Sequence, residues 1–344
     1  MIQRVICAAL ALAGVVAIPA WAQEGGVGAA SFFRLGVDAR ALGMGGAYVS
    51  LADSYSAVYW NPAGLARSPS PEVGGTSMNL FGADINFTFL GGVLSPASLG
   101  RAMAGLGQDA SLLERVGLGA SVMEVATEVH AFDPFGQPIG LVLYTERCFS
   151  LGIGYAITES GWLGVTAKGY WFQAPKAGVE GKTAWAMGVG VDLGLLFEPW
   201  ENVQVGIRIS DLGDTRIKWH NTPTEPTDLV PTRFCIGAAY KFDDGALASS
   251  YEFDREHLEE GTLKVGIEYT MKFLSLRAGY VKPLTANWYL TAGMGIRLNQ
   301  LSFDAAWLQN RALEAENVSD TFMLSAAFSF PGLFGGQEPE TGQD

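Results

Sequence analysis

Three histidines, His130, His220 and His257, carry all the imidazole in this 344-residue chain. A metal site needs ligands that converge, and these three fall in or beside separate connections with no ligand spacing between them. Asp211, Asp214 and His220 share one connection. Acid–base work on a rim would be their chemistry, but solvated loop polarity accounts for the same residues. No Gly-x-Ser-x-Gly elbow is present. Gly43-x-Gly45-Gly46 has no strand of a βαβ unit before it, so it does not read as a dinucleotide loop. Cys148 and Cys235 lie in separate strand patterns whose spacing requires no bridge, and both read as free thiols. Taken alone, these residues point to a non-enzymatic chain with no cofactor and no metal.

The remaining charges are informative through their parity. Across residues 185–197, Trp185, Met187, Val189, Val191, Leu193, Leu195 and Phe197 are apolar, while Gly188, Gly190, Asp192 and Gly194 lie between them. Side chains of a strand point to opposite faces in turn, so one face is greasy and the other small or charged. Lys168, Asp192, Arg208, Lys241, Glu252, Lys264, Glu268, Arg277, Arg297 and Asp304 all fall between large apolar positions. A basic residue facing lipid near the midplane costs ~2–4 kcal/mol. An acidic one costs somewhat less, and ten such costs together are prohibitive, so these charges are expected to line a lumen. Lys168, Asp192, Arg208, Glu268 and Arg277 are the lumen-facing charges taken as candidate site residues. Val203, Val205, Ile207 and Ile209 on one strand, and Phe234, Ile236, Ala238 and Tyr240 on the next, would then face lipid.

Composition agrees. Charged residues make up 17% of the chain, against about 25% for soluble domains. Hydrophobic residues reach 49%, and the mean hydropathy is +0.19. A net charge of −13 excludes the basic surface that nucleic acid requires. Residues 1–22 read as an export leader: Arg4, an apolar stretch over 5–18, then the cleavage site Ala20-Trp21-Ala22. Cys7 leaves with it. Elsewhere no apolar run is long enough to cross a bilayer as a helix, so crossing would be by strands.

About fourteen strands are expected, an even number as bacterial barrels require. They cover 72–80, 84–94, 115–129, 148–158, 161–172, 184–198, 202–210, 232–242, 246–254, 261–271, 273–281, 286–298, 301–308 and 320–330. Residues 139–144 could add a strand but are taken as loop, because an odd count would follow. Very short links alternate with mostly longer ones, chiefly 211–231 and 309–319. That pattern places both chain ends on the short-turn, periplasmic side. The link 95–114 breaks it; its Ala, Leu and Met content suggests a short helix of unassigned role. Trp162, Trp171, Trp185, Trp200, Trp219, Trp288 and Trp307 lie near strand ends and read as interfacial girdles.

Residues 23–71 do not alternate. They are too apolar for a disordered tail and too rich in Gly for a stable long helix. A barrel of this size is wider than its own side chains fill, and this segment would suit its interior as a plug. The phrases are Leu35-Gly36-Val37-Asp38-Ala39-Arg40-Ala41-Leu42-Gly43-Met44-Gly45-Gly46-Ala47 and Tyr59-Trp60-Asn61-Pro62-Ala63-Gly64-Leu65-Ala66. Gly43, Gly45 and Gly46 would let backbone approach the wall, and Asn61-Pro62 would turn the chain toward the first strand. The expected organisation is leader 1–22, plug 23–71, transmembrane β-barrel 72–330 and acidic tail 331–344.

With its Asn61-Pro62-Ala63 element, this segment resembles the plug of FadL-type (OMPP1/FadL/TodX) outer-membrane proteins. It is more similar still to the PorV/PorQ branch, which also has phrases like Ile209-Ser210-Asp211-Leu212-Gly213 and Leu276-Arg277-Ala278-Gly279-Tyr280. The resemblance spans about 33–330. It implies a plugged, non-enzymatic barrel in the bacterial outer membrane, in contact with membrane lipid and transporting or binding a hydrophobic small molecule. It implies as alternative a PorV-like component of type IX secretion that passes secreted protein cargo to a surface sortase. Plug residues expected at the ligand are Leu35, Arg40, Gly43, Gly45, Trp60, Asn61, Pro62 and Ala63.

Overall fold

The computed structural model describes residues 30–80, 85–107, 109–132, 137–255, 257–309 and 320–333. The leader 1–22 and the last eleven residues of the tail lie outside them. Sixteen strands form one sheet. They are β1 (Glu72–Leu80), β2 (Ile85–Leu94), β3 (Val116–Phe132), β4 (Pro138–Thr158), β5 (Gly161–Ala174), β6 (Ala184–Trp200), β7 (Val203–Ser210), β8 (Thr215–His220), β9 (Thr227–Val230), β10 (Arg233–Phe242), β11 (Gly245–Asp254), β12 (His257–Met271), β13 (Leu274–Pro283), β14 (Tyr289–Leu298), β15 (Leu301–Leu308) and β16 (Thr321–Ser329). Every pairing is antiparallel. β1 pairs with β16 as well as β2, and β5 pairs with β6, so the sheet closes on itself with no free edge at mid-height.

β8 and β9 are not additional staves. β6 pairs with β7 along its lower half (Leu193 opposite Ile209) and with β8 along its upper half (Met187 opposite Lys218). β8 therefore continues β7 upward after the excursion 211–214, and β9 runs down into β10 across 231–232. Counting each interrupted stave once leaves the fourteen expected from parity. The excursion turns through left-handed backbone at Asp211 (φ 54°), Gly213 (φ 81°) and Asp214 (φ 61°), conformations that Asp tolerates better than most residues. Thr232 ties it down, its backbone N–H donating to Asp214 and its hydroxyl to the Asp211 carbonyl.

Two expectations are corrected here. Residues 139–144 are strand rather than loop; they are the upper part of β4, one 21-residue strand, so the count stays even. The connection 211–231 is not one long loop: β8 and β9 within it are wall, and 221–226 is the loop that joins them.

The outer surface is apolar, with Leu151 at 70%, Val189 at 74% and Leu324 at 66% exposure. Asp192, Arg208, Glu268 and Arg277 are buried on the inner side. The parity rule has exceptions toward the long-loop end of the wall, Glu128 and Lys282 among them. Arg147 directly opposes Glu124 and pairs with it on the outward face, and Arg216 and Lys218 alternate with the buried Thr215 and Ile217. Among the tryptophans, Trp171, Trp185, Trp288 and Trp307 follow the outward parity. Trp162 and Trp219 are a correction to the girdle. Trp162 lies under the Arg67 guanidinium (5.0 Å to the ring), and Trp219 packs on the interior core while donating to Asp228 (2.7 Å).

Three short α-helices complete the chain: α1 (Ala39–Gly43), α2 (Ala57–Trp60) and α3 (Pro96–Gly105). α3 occupies the long connection at the short-turn end, where Arg101 donates to the carbonyls of Pro331 and Leu333 after the last strand.

Candidate functional site

Residues 30–71 lie against inward-facing residues around most of the sheet, and their polar backbone finds partners on the wall. Thr166 on β5 donates to the Val58 carbonyl (3.1 Å), Arg208 on β7 to Tyr59 (2.9 Å) and Thr291 on β14 to Gly43 (3.1 Å). Glycines let the two surfaces meet. A Cβ at Gly164 would lie 2.2 Å from the Pro62 carbonyl carbon, and one at Gly279 would lie 2.2 Å from the Gly45 nitrogen.

Three polar anchors fix this inner segment. At the first, α1 begins at Asp38, whose backbone is left-handed (φ 70°), a conformation that non-Gly residues adopt at a cost. The Asp38 N–H donates to Thr76 (3.2 Å) and the Ala39 N–H to Ser325 (2.8 Å), so the first turn is capped by β1 and β16. The Asp38 carboxylate accepts from the Arg40 N–H and the Ser56 hydroxyl. Burial pushes its pKa up to about 7, with the nearby Asp304 carboxylate adding to the rise.

At the second anchor, Arg40 forms a two-pronged pair with Glu268 on β12, both distances 2.9 Å. Arg277 on β13 donates to the same carboxylate (2.6 Å) and to Asp304 on β15 (2.7 Å). Arg40 also reaches Tyr48 and Asp53. Forked guanidinium–carboxylate pairs fix direction as well as distance. The third anchor is Asn61. Its amide donates to Val49 within the segment and to the Leu195 and Ile207 carbonyls of β6 and β7, while its oxygen accepts from Ala63. Asn61 thus caps the 3-10 turn Pro62–Arg67 and clamps it to the wall.

Above the segment, toward the long loops, is a cavity of about 330 Å³. Leu35, Leu42, Gly45, Gly46 and Trp60 form its floor; Tyr289, Leu308 and Pro283 add apolar wall. The Trp60 indole is oriented by its N–H bond to Val37 (3.0 Å) and by edge packing on Tyr48 and Tyr59. One side is charged. Glu252 accepts from Arg208, Arg233 and Lys264, and Arg34 pairs with Asp254 (3.0 Å). Three cations share one carboxylate, and the buried Nε atoms of Arg208 and Arg233 have no protein partner. A second charged cluster joins Lys168 to Asp192 (2.6 Å) and Asp211 (2.7 Å), with Tyr170 donating to Asp211 (2.9 Å).

The residues singled out from sequence therefore divide. Leu35, Gly45 and Trp60 meet at the cavity. Arg40 and Gly43 lie at the second anchor and against Gly293 of β14, and Asn61, Pro62 and Ala63 pack against the opposite wall. Glu268 and Arg277 hold Arg40; Arg208 joins the cavity cluster; Lys168 and Asp192 form the separate group. Sequence reading missed Arg233 and Tyr289, although Arg233 shares inward parity with Cys235 and Lys241. Asp211 and His220 do not converge. Asp211 points inward to Lys168, whereas His220 stacks on the outward Trp185 (4.2 Å). Cys148 and Cys235 are both free and buried.

No protein-family model and no curated protein matches the sequence. Solved structures do match. The Pseudomonas putida toluene transporter TodX aligns with TM-score 0.59 at 14% identity, over 86% of this chain and 99% of that one. The Ralstonia pickettii toluene transporter TbuX gives 0.58 at 12%, over 86% and 98%. A Pseudomonas aeruginosa FadL homologue gives 0.57 at 12%, over 86% and 98%. At these identities the likeness is one of fold: a closed fourteen-stave barrel of FadL/TodX type.

Proposed function

We propose that the chain is a non-enzymatic outer-membrane passage protein for small hydrophobic molecules, with the inner segment as its plug. The cavity over Trp60 carries this reading, because it is part apolar and the segment lies directly beneath it. The apolar outer face supports a membrane setting, and the short-turn end is assigned to the periplasm. A ligand settling on Leu35, Leu42 and Trp60 would press on the floor formed by Gly45 and Gly46. The anchors at Arg40 and Asn61 would then decide how far the plug yields. The names of the structural neighbours, toluene transporters among them, suggest the ligand class. Within this group the phrases over 35–66 favour the PorV/PorQ branch. The protein-cargo alternative loses much of its long loop at 211–231, where β8 and β9 build wall.

In planar bilayers the intact protein is expected to show negligible steady conductance, and deletion of 35–66 to open large steady channels. Apolar small molecules released from the purified barrel should appear by mass spectrometry and be depleted in Trp60→Ala. Large steady channels from the intact chain, or equal release from both proteins, would refute the reading.

A further inference from the structure

Four of the charged strand residues that break the inward parity, Glu124, Arg147, Arg216 and Lys218, sit together on one flank; Glu128 faces outward above Glu124 on β3, and Lys282 lies elsewhere, on β13. Arg147 on β4 is opposite Trp171 on β5, Trp171 opposite Met187 on β6, and Met187 opposite Lys218 on β8. They form one outward row, with Glu124 at its far end. Neighbouring strands lie about 4.8 Å apart, so Arg147 and Lys218 are roughly 14 Å apart along it. Arg216 lies two residues below Lys218 on the same face. In the next row up, Gln173, Trp185 and His220 are aligned. Trp171 stacks on Trp185 (5.3 Å, 17°) and His220 stacks on Trp185 in turn, so rigid aromatic rings stand between the cations. Beneath this level the flank formed by β4, β5 and β6 is apolar, with Phe149, Leu151, Ile153, Val165 and Val189 exposed.

The charge is partly balanced. Glu124 takes Arg147, which also donates to Gln173, and Glu225 lies 3.5 Å from an exposed Lys218. Arg216 is exposed and makes no ion pair among the described residues. Elsewhere on the outward face of the strands, Lys282 is engaged by the Ala286 carbonyl. Indole rings favour the headgroup level of a membrane, which fixes the depth of the row. Cations there are within reach of anionic headgroups, and the apolar flank below suits acyl chains.

We infer that the outward flank of β4, β5, β6 and β8 is a docking site for a phosphorylated lipid of the outer leaflet. Arg216 and Lys218 would take the phosphate, Arg147 would flank it, and the Trp171–Trp185 stack would pack against the headgroup. The inference rests on the membrane setting proposed above but not on the cavity or the plug.

The test uses the full chain in phosphatidylcholine nanodiscs doped with equal amounts of a phosphorylated glycolipid and its dephosphorylated counterpart. Lipids retained after release into the gas phase are counted by native mass spectrometry. Wild type is expected to retain the phosphorylated form at least fivefold more often. R216Q/K218Q is expected to lose that preference. R297Q, which removes a cation at the opposite mouth, is expected to keep it. No preference in wild type, or an unchanged preference in R216Q/K218Q, would overturn the proposal. Failure of the protein to enter nanodiscs would remove the membrane setting, and this proposal with it. Insertion without headgroup preference would leave the passage reading standing.

Discussion

Glu268 is the residue on which the inner segment and the wall most directly depend, because two guanidinium groups from different elements share its carboxylate. Removing one partner of a buried ion pair strands the other charges and costs about 3–5 kcal/mol. Glu268→Gln should therefore lower the temperature at which the barrel unfolds on heat-modifiability gels, with a smaller effect for Arg67→Gln, whose guanidinium is 3.5 Å from a partly exposed Glu198. Equal shifts would show that the anchor is not special. Asp38 gives a prediction in pH. Its folded pKa of about 7 exceeds its ordinary value of 3.8, so the native state holds the proton more tightly than the unfolded chain. Its contribution is then fully present below pH 3.8 and is lost as pH rises to about 7. Unfolding followed from pH 4 to pH 8 should show stability falling through that window, and Asp38→Asn should flatten the slope. A wild-type curve that is level there would exclude this role for Asp38.

The elements meet through glycine and through carbonyl clamps. With a methyl group at position 164, Pro62 must shift, since the space measures 2.2 Å. Gly164→Ala is expected to leave the barrel assembled while making the segment 30–71 more accessible to added protease, by several-fold in cleavage rate. A conformation-neutral control is Gly169→Ala, where a Cβ meets nothing within 4 Å. Ala39 and Ser325 touch through a 2.8 Å hydrogen bond between segment and β16. Cysteines at both positions, in a chain lacking Cys148 and Cys235, are expected to form a bond that, on the proposed function, locks the inner segment. Uptake of an apolar substrate should then be blocked and should return on adding reductant; uptake indifferent to reductant would argue that the plug need not move at this point.

At the scale of the whole molecule, two polarities are nested. The outward surface is apolar, and the interior holds ion pairs packed around a segment that is itself largely uncharged. Charges in a low-dielectric interior are tolerated only when partnered, and here the partners come from different staves and from the inner segment. Folding of the wall and the inner segment should consequently be coupled. Deleting 35–66 takes Arg40 from Glu268, the Tyr59 carbonyl from Arg208 and the Gly43 carbonyl from Thr291 at once, so the deleted barrel is expected to unfold at lower temperature than the full chain. An unchanged transition would mean that the wall is indifferent to what it encloses.

Period-two alternation needs no tertiary information, since a strand shows its faces in its own order of residues. For that reason the staves, their parity, the free cysteines and the short helix at 96–105 could be read from the chain. Residues 139–144 escaped because, counted as a strand of their own, they would make the number odd; they are instead the upper part of β4, paired with β3. Residues 211–231 escaped because the Asp211–Asp214 excursion resets the alternation midway along a stave. Pairing among inward charges was not legible either: parity puts Glu268, Arg277 and Asp304 on the same side, but only the register of the staves and the seating of Arg40 inside them bring these groups within hydrogen-bond distance. Trp162 and Trp219 have the composition of girdle residues and became interior ones through the parity of their own strands. The sequence determined which side of the wall most residues face; the closing of the sheet around the inner segment decided which of them touch, because contacts between staves depend on stagger, and stagger is a property of the closed barrel.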